Sequence, residues 1–239
     1  MNTVLPLVST IISFIFALFV FDQFLERRKP YQLVWTLGFV WFAASAFTEF
    51  YGNSQGWNET LYRYWYLIGA YFVAAYLGMG TTYLLTPRWF AHIVMALLLL
   101  GSVYAAYLVF TAPVDVPQLP RAGEVVTGRA LPSYVRFPLP VVFNSFGAGA
   151  LIIGAVYSAL VFWRRRILPH RVSSNIIIAV GSFIPSVTGL LNRLGLPELF
   201  FLGELLGVLV IFIGFLLSIE VFERFKVPFT NVTLGRRRV

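Results

Sequence analysis

Apolar residues occur along the chain in seven long stretches, which shorter polar segments separate. A stretch of about 20 apolar residues crosses the hydrocarbon core of a bilayer as an α-helix. The stretches do not alternate with a period of two, as the strands of a transmembrane barrel would. The pattern therefore predicts an all-α, polytopic membrane protein built as a bundle of seven transmembrane helices. We predict the spans at residues 4–25, 31–50, 61–85, 89–110, 137–163, 173–191 and 200–221.

The seven spans form one predicted domain, residues 1–221, and two polar segments differ from it. Residues 111–136 contain Pro113, Pro117, Pro120 and Pro132 and are predicted to form a long loop, because proline interrupts a helix. Residues 222–239 form a basic tail that ends in three consecutive arginines. A proline-rich loop of this length needs a surface to lie on, and a membrane-protein partner would supply one.

The composition fits a chain whose surroundings are lipid. Charged residues make up 12% of the chain and hydrophobic residues 59%, whereas a soluble domain carries about 25% charged residues. Cysteine is absent, which excludes thiol nucleophiles, disulfides and thiolate metal sites. The basic residues are nearly all arginine, a bias typical of GC-rich bacterial genomes, so we expect a bacterial plasma membrane.

The distribution of arginine and lysine predicts the orientation, because cytoplasmic loops of membrane proteins are enriched in both. One side of the predicted bundle carries most of them, and the other side carries only five. We therefore expect the N-terminus outside and the C-terminus in the cytoplasm, with anionic lipids as partners at the cytoplasmic face. Short loops do not build the folded basic surface that nucleic acid requires. The residues of the outer side are Arg63, Arg121, Arg129, Arg136 and Arg193.

Ionisable residues in or near the apolar spans are the first candidates for function. Five of them gather at the predicted outer ends of the spans: Glu49, Arg63, Arg193, Glu198 and Glu204. They form either a structural ion-pair cluster, with Arg193 paired to Glu49 or Glu204, or an outward-facing polar vestibule that binds a solute. The sequence leaves both interpretations open.

A second candidate region lies deeper in the bundle. Asn144 and Asn175 are polar residues within predicted spans, and Pro185 should kink the sixth span and free a backbone carbonyl. The first three and the last three spans run in the same sense around the fourth, as in a 3+1+3 repeat. A small-solute transporter with this helix plan would place a cavity near these three residues.

Residues of small volume recur at four-residue spacing and predict close helix contacts. They are Ala70, Ala74 and Gly78 in the third span, Ala150, Gly154 and Ser158 in the fifth, and Gly203 and Gly207 in the seventh.

The chain has few residues that could support catalysis or bind a cofactor. His92 could serve as one axial ligand of a haem or a chlorophyll, the least favoured alternative, and the chain holds no His-Glu-x-x-His, Gly-x-Ser-x-Gly or phosphate-binding glycine loop. A zinc site needs more histidines and acids than are present. A retinal protein needs a lysine in the seventh span, whereas Lys29 and Lys226 lie outside the spans. We expect no enzyme activity, no metal and no cofactor.

The segment from Trp41 to Trp89 carries a family pattern. Glu49 ends one span, Trp65-Tyr66-x-x-Gly69 opens the next, and Thr81-Thr82-Tyr83 with Pro87-Arg88 closes it. This pattern resembles the seven-helix sensor module at the N-terminus of some bacterial histidine kinases. The resemblance implies a ligand-sensing or signal-coupling bundle, here without a kinase domain. Our leading hypothesis is therefore a non-enzymatic sensor or an accessory subunit of a larger membrane complex.

Overall fold

A computed structural model describes residues 2–165, 169–218, 225–226 and 233–234, with the side chains of residues 2–164, 172–192 and 194–217. The chain forms helices α1 (Val4–Arg27), α2 (Pro30–Gln55), α3 (Glu59–Leu67), α4 (Val73–Leu85), α5 (Arg88–Thr111), α6 (Ser133–Arg136), α7 (Leu139–Arg165), α8 (Pro169–Arg193) and α9 (Phe200–Ser218). Two short 3₁₀ turns lie at Val116–Gln118 and Gly128–Ala130. Strands β1 (Phe225–Lys226) and β2 (Thr233–Leu234) pair antiparallel within the predicted basic tail, most of which lies outside the described residues.

Seven helical segments of the described chain are long and apolar enough to cross a membrane, which confirms the predicted all-α class and the predicted number of spans. The third segment joins α3 to α4 through a π-helical turn, and the fifth joins α6 to α7. The segments are Val4–Arg27, Pro30–Gln55, Glu59–Leu85, Arg88–Thr111, Ser133–Arg164, Val172–Asn192 and Phe200–Leu217.

Six helices form a closed ring, in the order α1, α2, α4, α7, α8, α9 and back to α1. Helix α5 lies outside this ring and packs against α3 and α4. Its large apolar side chains, among them Trp89, Leu100 and Val103, are exposed. Such a surface suits lipid, because apolar side chains lose nothing by facing hydrocarbon.

Glycines let the ring helices approach each other closely. A Cβ atom at Gly147 would clash with the carbonyl oxygen of Ala74, and Gly78 faces Gly147 in the same contact. Between α8 and α9, Gly203 lies against Thr188 and Gly207 against Pro185. Gly78, Gly203 and Gly207 are therefore packing residues within the bundle, and Gly154 likewise contacts Thr81.

A π-helical turn, Ile68–Phe72, interrupts the third segment. The N–H of Val73 donates to the carbonyl of Ile68, five residues back. The amide of Asn144 on α7 donates to the carbonyl oxygen of Ala70 in this turn at 2.5 Å. One extra residue in a turn rotates the two halves of the segment relative to each other by about 100°. The turn thus sets independently which faces α3 and α4 present to the bundle.

The segment between α5 and α7, residues 112–138, covers one end of the bundle. We call it the capping segment, and the end that it covers the capped end. Ala112, Val126, Ala130, Leu131 and Val135 are at most 2% exposed. The opposite end carries Arg27, Arg28, Lys29, Arg88 and Arg164 and is called the basic end. The loop lies on its own bundle, so its length no longer argues for a partner protein.

Side-chain hydrogen bonds hold this capping segment in place. The Tyr62 hydroxyl donates to the carbonyl of Thr127 at 2.5 Å, and the Tyr71 hydroxyl donates to that of Val135 at 2.6 Å. The Asn192 amide donates to Val126 at 3.2 Å, and that of Asn2 donates to Gly123 at 2.8 Å. The capping segment is therefore bonded to the third membrane segment, to α8 and to the residues that precede α1.

Candidate functional site

Glu49 lies in the last two turns of α2, close to the capped end, and is 0% exposed. The indole Nε1 of Trp65 on α3 donates a hydrogen bond to its Oε1 at 2.8 Å. Its other oxygen, Oε2, is buried and receives no hydrogen bond from any donor in the described chain. A buried carboxylate with one donor for two oxygens is costly unless a proton or a cation neutralises it.

Glu204, in the second turn of α9, supplies the neighbour of Glu49. Its side chain is half-buried, and the carboxyl groups of the two residues lie within hydrogen-bonding reach of each other. An ionised carboxylate only accepts hydrogen bonds. Contact between two carboxyl groups is therefore stable only when a proton or a cation lies between them. We call these two residues the carboxyl pair.

The carboxyl pair connects helices that are not neighbours in the ring, since α1 lies between α2 and α9. The Phe16 ring packs on Phe39 of α2 at 3.7 Å and on Phe212 of α9 at 4.7 Å between centroids, which fixes the relative depth of the three helices. Ser9 lies seven residues from Phe16 toward the capped end, about 10 Å along α1, whereas Glu49 lies ten residues, about 15 Å, from Phe39 along α2. The Ser9 hydroxyl is fully buried and has no partner in the described chain.

The other members of the predicted outer cluster lie elsewhere. Arg63 forms an ion pair with Glu59 at 3.7 Å and donates to the carbonyl oxygen of Val109, so it anchors α3 to α5. Glu198 is exposed in the turn between α8 and α9. Arg193 ends α8, and its side chain lies outside the described part of the chain, so the proposed pairing of Arg193 with either glutamate stays a prediction.

Aromatic rings fill the space beside the carboxyl pair. Trp57, Tyr62 and Trp65 pack with their ring centroids 5.5–6.2 Å apart, in tilted and edge-to-face geometry. Tyr62 also bonds to the capping segment at Thr127. The cluster therefore connects the surroundings of Glu49 directly with the loop that covers the capped end.

Asn144, Asn175 and Pro185 are the residues predicted to lie near a transport cavity. Asn144 donates to the backbone carbonyls of Ala70 and Pro140, and Pro185 packs against Gly207. Asn175 borders a cavity of about 80 Å³ in the basic half of the ring, which neither of the other two lines. The predicted transport cavity near all three residues stays a prediction.

His92 lies near the start of α5, and its Nδ1 is 2.9 Å from the Tyr83 hydroxyl. The described chain holds no group of three or more metal-binding side chains. His92 is thus engaged in a local contact between α4 and α5.

The interpretation of the sequence did not include Trp65 in the candidate site, although its indole bonds to Glu49. A detectable signal existed for Trp65. Helices α2 and α3 form an antiparallel hairpin around the polar turn, so residues 49 and 65 fall opposite each other.

No protein-family model, curated protein or solved structure matches the chain. Function has to be argued from the site itself.

Proposed function

We propose that the chain is a non-enzymatic, signal-coupling protein of the bacterial plasma membrane. The carboxyl pair receives the signal at the capped end, which faces outside, and the basic end faces the cytoplasm. The observation that carries this proposal is that the buried Glu49 has one donor for its two oxygens in the described chain, while the carboxyl group of Glu204 lies within hydrogen-bonding reach of it. The weak resemblance to kinase sensor modules agrees with it.

The signal that suits this site is a proton. Glu49 is fully buried, and the carboxyl group of Glu204 lies within hydrogen-bonding reach of it. A metal ion would require further ligands, and the described residues hold no group of three or more acid, histidine or cysteine side chains that could bind one. One proton converts the repulsion between two carboxylates into a hydrogen bond. Two unit charges 4 Å apart repel by about 4 kcal/mol at an effective dielectric constant of 20.

Protonation would change the force between α2 and α9. With one proton on the pair, the two helices are held together at the capped end. When a higher pH removes that proton, two negative charges face each other and push the helices apart. Stability that comes from the shared proton is therefore present at low pH and lost as the pH rises.

The two helices carry this change across the bundle. Both α2 and α9 span the distance between the capped end and the basic end. Helix α9 also packs closely on α8 through Gly203 and Gly207. A helix moves as a rigid element, so a shift at one end is felt at the other. Coupling requires a receiving site and an element with two arrangements. In this proposal the carboxyl pair is the receiving site, and α2 with α9 is the element that changes.

Sensing fits the site better than proton transport does. A transported proton needs a relay of acceptors across the membrane. Between the carboxyl pair and Asp22, near the basic end, the described spans contain no acidic residue. The pair therefore receives a proton from one side and has no acidic acceptor to pass it to.

A spin-label experiment tests the coupling. The chain has no cysteine, so cysteines placed at Leu33 on α2 and Ile213 on α9 are the only labelling sites. Both positions are exposed, at 38% and 49%, and lie in the basic half. We expect the distance between the two labels in lipid nanodiscs to increase as the pH rises.

Two variants serve as controls for this distance. The Glu49→Gln/Glu204→Gln variant should show a constant distance, because it has no carboxylates to repel. The Glu198→Gln variant should behave as the unmodified protein, because Glu198 is exposed and away from the pair. A distance that does not respond to pH, or one that responds equally in the double variant, would contradict the proposed function.

A further inference from the structure

A cavity of about 80 Å³ lies on the axis of the six-helix ring, in its basic half. Each ring helix contributes side chains to its wall. This volume holds roughly three groups of the size of water or methylene, at about 30 Å³ each. The lining residues include Phe16, Phe39, Leu77, Leu151, Ile211 and Phe215.

The wall of the cavity is mainly aromatic and aliphatic, and such a space favours hydrocarbon over water. Thr81, Ser158 and Asn175 are its polar lining residues. The Nε1 of Trp35 is already bonded to the carbonyl oxygen of Leu77 at 3.1 Å, so this indole presents its apolar surface.

The cavity reaches the surface of the bundle between α4 and α7. Leu84 is 44% exposed and Ser158 is half-buried, and both line the cavity. Arg88 begins α5 and follows Leu84 across the short turn that comes after α4. Arg164 follows Ser158 by six residues on α7, about 9 Å further along the helix axis toward the basic end. Lys29 precedes Trp35 by a similar distance. All three cations are exposed.

We propose that this cavity binds part of one acyl chain of an anionic membrane lipid, whose headgroup contacts Arg88, Arg164 and Lys29. The apolar interior selects hydrocarbon, and the cations at the rim select a negatively charged headgroup over a neutral one. Each cation near a membrane surface strengthens binding of an anionic lipid about fivefold. The site lies about 15 Å along α2 from Glu49, so it stands independently of the proposed function.

Lipid titrations on the delipidated full chain in detergent test the headgroup. Phosphatidylglycerol and phosphatidylcholine with identical chains are compared by the lipid concentration that gives half of the maximal rise in the unfolding temperature. We expect phosphatidylglycerol to act at a lower concentration. The Arg88→Gln/Arg164→Gln variant should need about 25-fold more of it, and the control Arg121→Gln, at the capped end, should need no more. Equal potency of the two lipids overturns the proposal.

A photoreactive phosphatidylglycerol, with a diazirine in one acyl chain, tests the cavity. We expect crosslinks to lining residues such as Leu84 and Ser158, and their loss in Ala155→Leu, which fills the cavity. The control is Val156→Leu, at an exposed position one residue further along α7. Crosslinks that remain unchanged in Ala155→Leu, or that fall mainly on the exposed face of α5, overturn the proposal. If Ala155→Leu does not fold, Ser158→Leu replaces it with the same expected loss.

A free fatty acid also has an acyl chain and a negatively charged group, so it is the alternative ligand for this cavity. Oleate is therefore titrated against the crosslinking lipid. Weak competition supports a phospholipid, which has a larger headgroup to contact three cations. Competition by oleate at concentrations equal to those of phosphatidylglycerol would overturn the assignment to a phospholipid.

Discussion

At the scale of the residue, Glu49 has two oxygens and, among the described residues, one donor, the indole of Trp65. Its neighbour Glu204 is a second carboxyl group rather than a second donor. A glutamine at either position would complete the hydrogen bonding without any proton from solvent. The presence of an acid at both positions makes the contact depend on protonation, and this dependence is the basis of the proposed sensing role.

The variant Glu204→Gln should remove that dependence. Its amide can donate to Glu49 Oε2 at any pH, so the unfolding free energy should stay constant where that of the unmodified protein falls with rising pH. The difference at alkaline pH should be about 1–3 kcal/mol in favour of the variant. Thermal unfolding followed by tryptophan fluorescence over a pH series measures it.

Glu198→Gln provides the matched control for this comparison. Glu198 is six residues away in sequence and exposed, so its replacement should leave the pH profile unchanged. A Glu204→Gln variant that loses as much stability on alkalinisation as the unmodified protein would exclude a shared proton at this contact.

At the scale of the element, close contact of α4 with α7 depends on Gly147, whose missing side chain leaves room for the carbonyl of Ala74. Two residues further along the same helix, Gly149 has nothing within 4 Å of the position that a Cβ would occupy. The two glycines share a helix and a sequence neighbourhood, yet only one lies at a helix contact.

Substitution by alanine should therefore give opposite results at the two positions. Gly147→Ala should destabilise the protein by about 1–3 kcal/mol, because the added carbon forces two backbones apart. Gly149→Ala should be neutral or stabilise by up to about 1 kcal/mol, because alanine is the better helix former. Unfolding in a denaturant series at constant detergent composition compares them, and equal effects would refute the contact.

The length and hydrophobicity of each stretch were sufficient to predict the helices. How the helices pack against one another could not be predicted from the same features. Gly69 does not reveal from sequence that it lies in a π-helical turn against Ser45. Arg63 looked like a member of the outer cluster, but its position on the face of α3 directs it to Glu59 and Val109. Depth along a span is readable from sequence, whereas the direction of a side chain around the helix depends on neighbouring helices.

At the scale of the whole molecule, the capping segment links elements that are distant in sequence. Tyr62, Tyr71 and Asn192 bond to its backbone from α3, the π-helical turn and α8. The carboxyl pair lies below this cap, next to the aromatic cluster that contains Tyr62. A proton reaching the pair from the capped end therefore has to pass a loop held by a few hydrogen bonds.

Removal of one such bond should loosen the cap. Tyr62→Phe leaves the carbonyl of Thr127 and the N–H of Ala130 without their hydroxyl partner. Amide hydrogen exchange in residues 125–135 should accelerate about tenfold, while exchange in the middle of α2 stays unchanged. Tyr64→Phe, at an exposed position on the same helix, is the control, and equal acceleration in both variants would argue against the cap as an ordered unit.

The central claim is that Glu49 and Glu204 share a proton, and infrared difference spectroscopy of the protein in lipid tests it most directly. The carbonyl stretch of a protonated carboxylic acid is distinct from the bands of carboxylates. We predict one such band at neutral pH, which weakens on alkalinisation and is absent at neutral pH in both Glu49→Gln and Glu204→Gln but present in Glu198→Gln. A spectrum without a protonated carboxyl group at neutral pH, or a band that persists in both single variants, would contradict the account.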